Sequence, residues 1–166
     1  MGVRVTPWVN TNQYPITSEN TQYFKHLAMA DLISGVSPSA GEPVWGKSHP
    51  SAPIGGGFSV VQGAITYHSG AGTNDPASME GRQLRLHSCL VCDNIEEGGG
   101  SGQPTTAGEA AMIDRKMDDG KPWTGFVRSS AAGINAGNAS GNVRGCEGED
   151  YDETQKEKAC VMYFRL

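Results

Sequence analysis

The stretch from Thr106 to Gly125 constrains the fold more than any other, because both ends of a helix are written into it. Thr106 can act as the N-cap, and Glu109 three residues later completes a capping-box pattern. Ala110, Ile113 and Met117 then recur at helical spacing. Gly120 suits the left-handed position after a last turn, and Pro122 keeps the helix from resuming. The spacing predicts a helix over 107–118 that packs one side on something else. Asp118 and Asp119 fall at its C-terminal end, where the macrodipole disfavours negative charge. Acids in that place need backbone N–H donors, a nearby cation or full solvation.

The helix belongs to a chain of 166 residues, enough for one domain with a real core. Only 37% of the residues are hydrophobic, while Gly numbers 23 and Pro 9, so a small core must carry large surface loops. Net charge is −5 and no Lys/Arg cluster occurs, which argues against a nucleic-acid partner and an anionic membrane surface. No stretch approaches the ~20 apolar residues that span a bilayer. The four cysteines, in a loop-rich chain, favour disulfides and an oxidising compartment over reduced thiols.

In chain order, residues 1–17 show no periodicity and read as an irregular leader; 18–166 read as one globular domain. Ser18 can cap a first helix and Gly35 can end it, with Tyr23, Leu27, Ala30 and Ile33 along one side and Phe24, Ala28 and Leu32 widening the apolar surface. Residues 36–56, rich in Pro and closed by Gly55-Gly56-Gly57, form an extended loop from which Trp45 is expected to fold back on the core. Strands are predicted at 58–67 and 83–91, joined by a Gly-rich turn and therefore antiparallel. In the second, Leu84, Leu86 and Ser88 share one face, and Gln83, Arg85, His87 and Cys89 the other. Gly98 to Gly102 is a flexible link; without the Lys-Ser/Thr ending it is no phosphate loop. Further strands are expected at 125–130 and 160–166, with an exposed Gly/Asn-rich loop over 131–150.

Three segments, in order, carry a resemblance. Ile113-Asp114-Arg115-Lys116-Met117-Asp118-Asp119-Gly120-Lys121-Pro122, followed by Thr124-Gly125-Phe126-Val127, resembles the I-D-x-K-x-D-D-G-x-P run of bacterial type IV pilin-like and pseudopilin-like proteins, those with a prepilin-type cleavage and methylation signal. Tyr23 through Gly35 is similar to their F-x-x-L-x-x-A-x-L-I-x-G helix. The tail, Cys146 through Tyr151 to Cys160 and Leu166, is similar to their closing C…Y…C-x-x-x-F-x-L. The match spans roughly residues 18–166. The leader, cleavage site and long apolar helix that open such proteins have no counterpart here, so the chain resembles a headpiece without its stalk, with Met1-Gly2 read as an expression start.

The resemblance implies an α+β pilin headpiece: an antiparallel sheet of about three to five strands, helices on one face and long Gly-rich loops. It implies a structural subunit of a type IV pilus or a type II secretion-like pseudopilus, with other such subunits as partners. It also implies a place at the cell surface or in the periplasm, and membrane contact only through the absent helix. It further implies a bridge between Cys146 and Cys160, the alternative being free buried thiols. For Cys89 and Cys92, in C-x-x-C spacing at a strand end, a local disulfide, a reduced pair and a redox or metal site all stay open.

Asp114, Asp118 and Asp119 could hold calcium, although the spacing is not that of an EF-hand loop; otherwise they accept N–H bonds or pair with Arg115, Lys116 or Arg128. His26, His49, His68 and His87 are scattered, there is no G-x-S-x-G, and no active site is specified, so an enzyme is not expected. Two rival readings stand beside the filament subunit. One is a secreted adhesin-like module using Trp8, Trp45 and Trp123; the other is a thiol-redox or metal-binding protein using Cys89 and Cys92. A variant of the first reading makes this chain the partner of a separately encoded pilin helix.

Overall fold

The computed structural model describes residues 19–39, 43–62, 79–88, 103–131, 145–146 and 148–166. Its elements are α1 (Glu19–Met29), β1 (Gly57–Gln62), β2 (Arg82–His87), α2 (Ala107–Met117), β3 (Val127–Ala131) and β4 (Cys160–Arg165). The strands form one sheet of four in the order β1-β2-β4-β3. Every pairing is antiparallel, as expected for the first two strands. The expected continuations at 63–67 and 89–91, the leader at 1–17 and the pair Cys89 and Cys92 lie outside the described residues.

Register decides which face each side chain takes. Phe58 lies opposite Leu86, Leu84 opposite Phe164, Leu86 opposite Met162, and Val127 opposite Phe164. Directly paired residues point to the same side, so these apolar side chains form one face. Both helices lie on it. Leu86, Val127, Cys160 and Met162 pack with Ala107 and Ala110 of α2 and with Cys146. Val60 packs with Phe24 of α1 and with Val36. Phe58 touches both groups and joins them into one core.

The first helix is shorter than the sequence suggests. It stops at Met29 and not at Gly35, because Asp31 adopts the left-handed conformation with φ 55°. The N–H of Asp31 donates to Ala28 O and that of Leu32 to Leu27 O, the pattern of a Schellman motif. Asp tolerates this conformation better than most residues, since its short polar side chain bonds locally. The apolar side shrinks accordingly: Phe24 is its most buried member, Ile33 packs back from beyond the helix, and Ala30 and Leu32 are exposed.

The second helix follows expectation at its ends. Thr106 accepts from the Glu109 N–H at 3.2 Å, and Glu109 accepts from the Thr106 N–H at 2.8 Å. Its buried side, however, is Ala107, Ala110, Ala111 and Asp114, while Met117 is exposed. Just upstream, Thr105 is stitched to the start of β4: its O accepts from the Ala159 and Cys160 N–H groups, and its hydroxyl donates to Cys160 O. That seam fixes the angle at which α2 leaves the sheet.

Trp45 folds back as expected. Its indole N–H donates to Ser88 O at 3.0 Å, and its ring lies edge-on to His87 and His49. A Cβ at Gly57 would stand 2.5 Å from the Trp45 ring, so only glycine lets the indole lie on β1.

Because the capping box satisfies orphan donors at the end of α2 that meets this seam, Thr106→Ala is expected to lower unfolding stability by about 1 kcal/mol in urea denaturation, with Thr106→Ser close to the parent.

Candidate functional site

The turn after α2 gathers Asp114, Asp118 and Asp119, each offering an oxygen within 4.8 Å of the others. Asp114 is fully buried. Its Oδ1 accepts the Gly120 N–H at 3.1 Å and its Oδ2 accepts the Tyr151 hydroxyl at 2.9 Å. Asp118 Oδ2 accepts the N–H groups of Phe126 and Val127, at 2.5 and 3.0 Å. Asp119 accepts the Lys121 N–H on Oδ1 and the Thr124 hydroxyl on Oδ2. These donors are the compensation that acids at a helix C-terminus require. Each carboxylate therefore pins one part of the turn: Asp119 its tip, Asp118 the entry to β3, Asp114 the return of the chain at Gly120.

Gly120 takes φ 77°, as the sequence predicts, and Pro122 is buried with its O accepting the Ser129 N–H. Gly125 is required more strictly still, since a Cβ there would overlap the Asp118 carboxylate. Lys116 is exposed on α2, whereas its neighbour Arg115 forms a forked pair with Glu153, 2.6 and 3.3 Å. Both partners of that pair are about half exposed, 49% and 48%, so it contributes little to stability.

The third component is the loop carrying Tyr151. Cys146 and Cys160 are joined by a disulfide with a sequence separation of 14, and both half-cystines are buried in the core beside α2. The bridge anchors the loop at the first residue of β4, and Cys146 O accepts the Ser129 hydroxyl at 2.7 Å. Within the loop, Asp152 accepts from Thr154 and Gln155, and Asp152 N–H donates to Gly145 O. Tyr151 then reaches Asp114. Helix, turn and disulfide loop thus meet at one buried carboxylate.

Burial pushes the Asp114 carboxyl up to about 6, against the lowering effect of Tyr151 and Gly120 and with help from the charges of Asp119 and Asp118. Burial also raises the Tyr151 phenol, which stays protonated and so remains a donor.

Sequence reasoning missed two buried serine–histidine contacts. Ser59 Oγ lies 2.7 Å from His87 Nε2 on the sheet face away from the helices, and in the loop before β1 Ser48 Oγ lies 2.9 Å from His49 Nδ1, whose ring packs on Phe24 of α1. A serine–histidine contact is the start of a nucleophile–base pair. Here Ser59 and His87 are both buried, and the contact satisfies two internal polar groups. Burial also lowers the His49 pKa. The alternation of Gln83, Arg85 and His87 was visible in the sequence, but a polar alternating face is ordinarily read as solvent-facing.

Trp45 is half-buried, with its indole N–H and ring engaged within the fold. Neither a protein-family model, nor a curated protein, nor a solved structure matches the chain.

Two outcomes follow from this geometry. Asp114 has a folded pKa above its ordinary value of 3.8, so its protonated form is favoured by folding. Its contribution is full below the ordinary value and is lost as pH rises through about 6. Melting temperatures from pH 4 to 7 are therefore expected to fall for the parent relative to Asp114→Asn; a constant gap between the two would contradict the assignment. Replacing Cys146 and Cys160 by Ser is expected to remove about 3 kcal/mol, the loop-closure contribution of a bridge this long, measured in urea without reductant. Alkylation of the untreated chain should leave both thiols unlabelled.

Proposed function

We propose that this chain is the headpiece of a filament subunit of the type IV pilin-like or pseudopilin-like kind. The observation that carries the reading is the contact between two of the segments on which the resemblance rests. Tyr151, inside the loop closed by Cys146 and Cys160, donates to Asp114 of the I-D-x-K-x-D-D-G-x-P segment. Residues quoted from separate stretches of sequence thus turn out to serve one structural purpose. The small α+β frame, an antiparallel sheet with both helices on one face, fits the same role.

In that role the pinned turn and the disulfide loop give the headpiece a fixed outline. Its subunit contacts would use the apolar side chains left exposed around them: Met112 and Met117 on the outer side of α2, Phe126 just before β3 and Leu166 after β4. The Arg165 N–H donates to Phe126 O, so the last two lie on neighbouring backbone. The filament core would come from an apolar helix joined upstream of residue 19 or supplied by a separate chain. The protein would then work outside the cytoplasm, where its disulfide persists.

The test has a genetic arm and a microscopic one. The coding sequence upstream of Val3 should encode a leader, a cleavage-site glycine and an apolar run of about 20 residues, or a neighbouring gene should encode such a helix. Antibody to this chain should label filaments or a secretion apparatus at the envelope of the source cell. An ordinary signal peptide, together with label on diffuse secreted material only, would overturn the filament reading and favour the secreted binding module. Met112→Lys with Met117→Lys should reduce assembly while leaving the melting temperature within a few degrees of the parent, since both side chains are exposed.

A further inference from the structure

We propose that the sheet face turned away from the helices holds a site for a small oxyanion, a carboxylate or phosphate group, with Arg85 as its cation. The four strands contain no Asp or Glu, yet they carry Arg82, Arg85, Arg128, Arg165 and His87. This occurs in a chain whose net charge is −5. Parity along the strands sends Arg82 to the helix side, where its guanidinium lies over the Tyr23 ring. Arg85, Arg128, Arg165 and His87 go to the other side.

Arg85 stands apart from the other described arginines. It is only 6% exposed, its Nε is sealed from solvent, and that Nε meets no acceptor. Arg115 has Glu153, and Arg128 Nε donates to Gly125 O. A guanidinium stays charged at any ordinary pH, so it cannot escape burial by losing a proton. A buried charge with no counter-charge is strongly unfavourable, and an oxyanion accepting two parallel N–H bonds is the partner whose shape fits a guanidinium best.

The register builds the surroundings. Ser59 of β1 and Tyr163 of β4 are the direct neighbours of Arg85, and Arg128 of β3 follows Tyr163 in the same row. One row thus carries two guanidinium groups and two hydroxyls across the whole width of the sheet. His87, one step along β2, adds an imidazole bonded to Ser59. Hydroxyl, imidazole and guanidinium groups are the side chains that coordinate phosphate and carboxylate oxygens. No described strand residue offers a repelling charge.

The experiment uses the whole chain, with inorganic phosphate and acetate titrated separately against chloride at matched ionic strength. The readouts are the 15N resonance of the Arg85 Nε–H and the melting temperature. At least one of the two anions should move the resonance saturably and raise the melting temperature. Phosphate alone would mark a phosphorylated ligand, and acetate alone a carboxylate. Arg85→Gln should abolish the response and Arg115→Gln should retain it. No response to either anion beyond that to chloride, or a response that survives in Arg85→Gln, overturns the proposal. Should Arg85→Gln fail to fold, the resonance titration of the unmodified chain decides alone.

Discussion

The buried carboxylate of Asp114 is the point on which the turn after α2 and the disulfide loop depend. A carboxylate oxygen away from water is costly unless each oxygen finds a donor. The donors here are Gly120 N–H and the Tyr151 hydroxyl, and both come from segments with little apolar surface of their own. Asp114 thereby holds a turn and a loop that hydrophobic burial could not hold. Asp118 and Asp119 extend the device by spending their charge on backbone N–H groups, which offsets their unfavourable place at the helix end. The disulfide supplies what hydrogen bonds cannot, a covalent limit on how far the loop carrying Tyr151 can stray.

How much of this could be read from the residues depends on how local the signal is. The second helix was legible at both ends, because capping box, glycine and proline each act within a few residues. Its buried side was less so: periodicity favoured Met117, whereas Asp114 is the residue inside, and only contact with Tyr151, far along the chain, explains it. The end of the first helix was missed for a different reason. Gly35 was a plausible stop, but Asp31 had already taken the left-handed position, which a non-glycine residue does not advertise. The antiparallel pairing and the fold-back of Trp45 were anticipated, while the strand order β1-β2-β4-β3 was beyond reach, since order is set by which edges meet.

The two faces of the sheet show how a polar pattern can mislead. Leu84 and Leu86, which the alternation put on one face, lie on the helix side. Gln83, Arg85 and His87 are buried as well, on the opposite side. Such a face depends on hydrogen bonds where the other depends on packing, so it specifies partners more narrowly. The filament reading draws on the helix side and its rim, whereas the anion site draws on the other. The sheet separates the surfaces on which these two proposals rest.

The strand order also says something about how the protein is made. β1 and β2 can pair as soon as both have been synthesised, but β3 has no partner among them. It joins the sheet only through β4, which lies between β2 and β3 and begins at the half-cystine Cys160. During synthesis the strand β3 must therefore wait, without a strand to pair with, until the residues through Arg165 have emerged. Closing the sheet and aligning the two sulfurs are then a single late event. A ribosome or translocon that still holds this segment would also be holding the fold open.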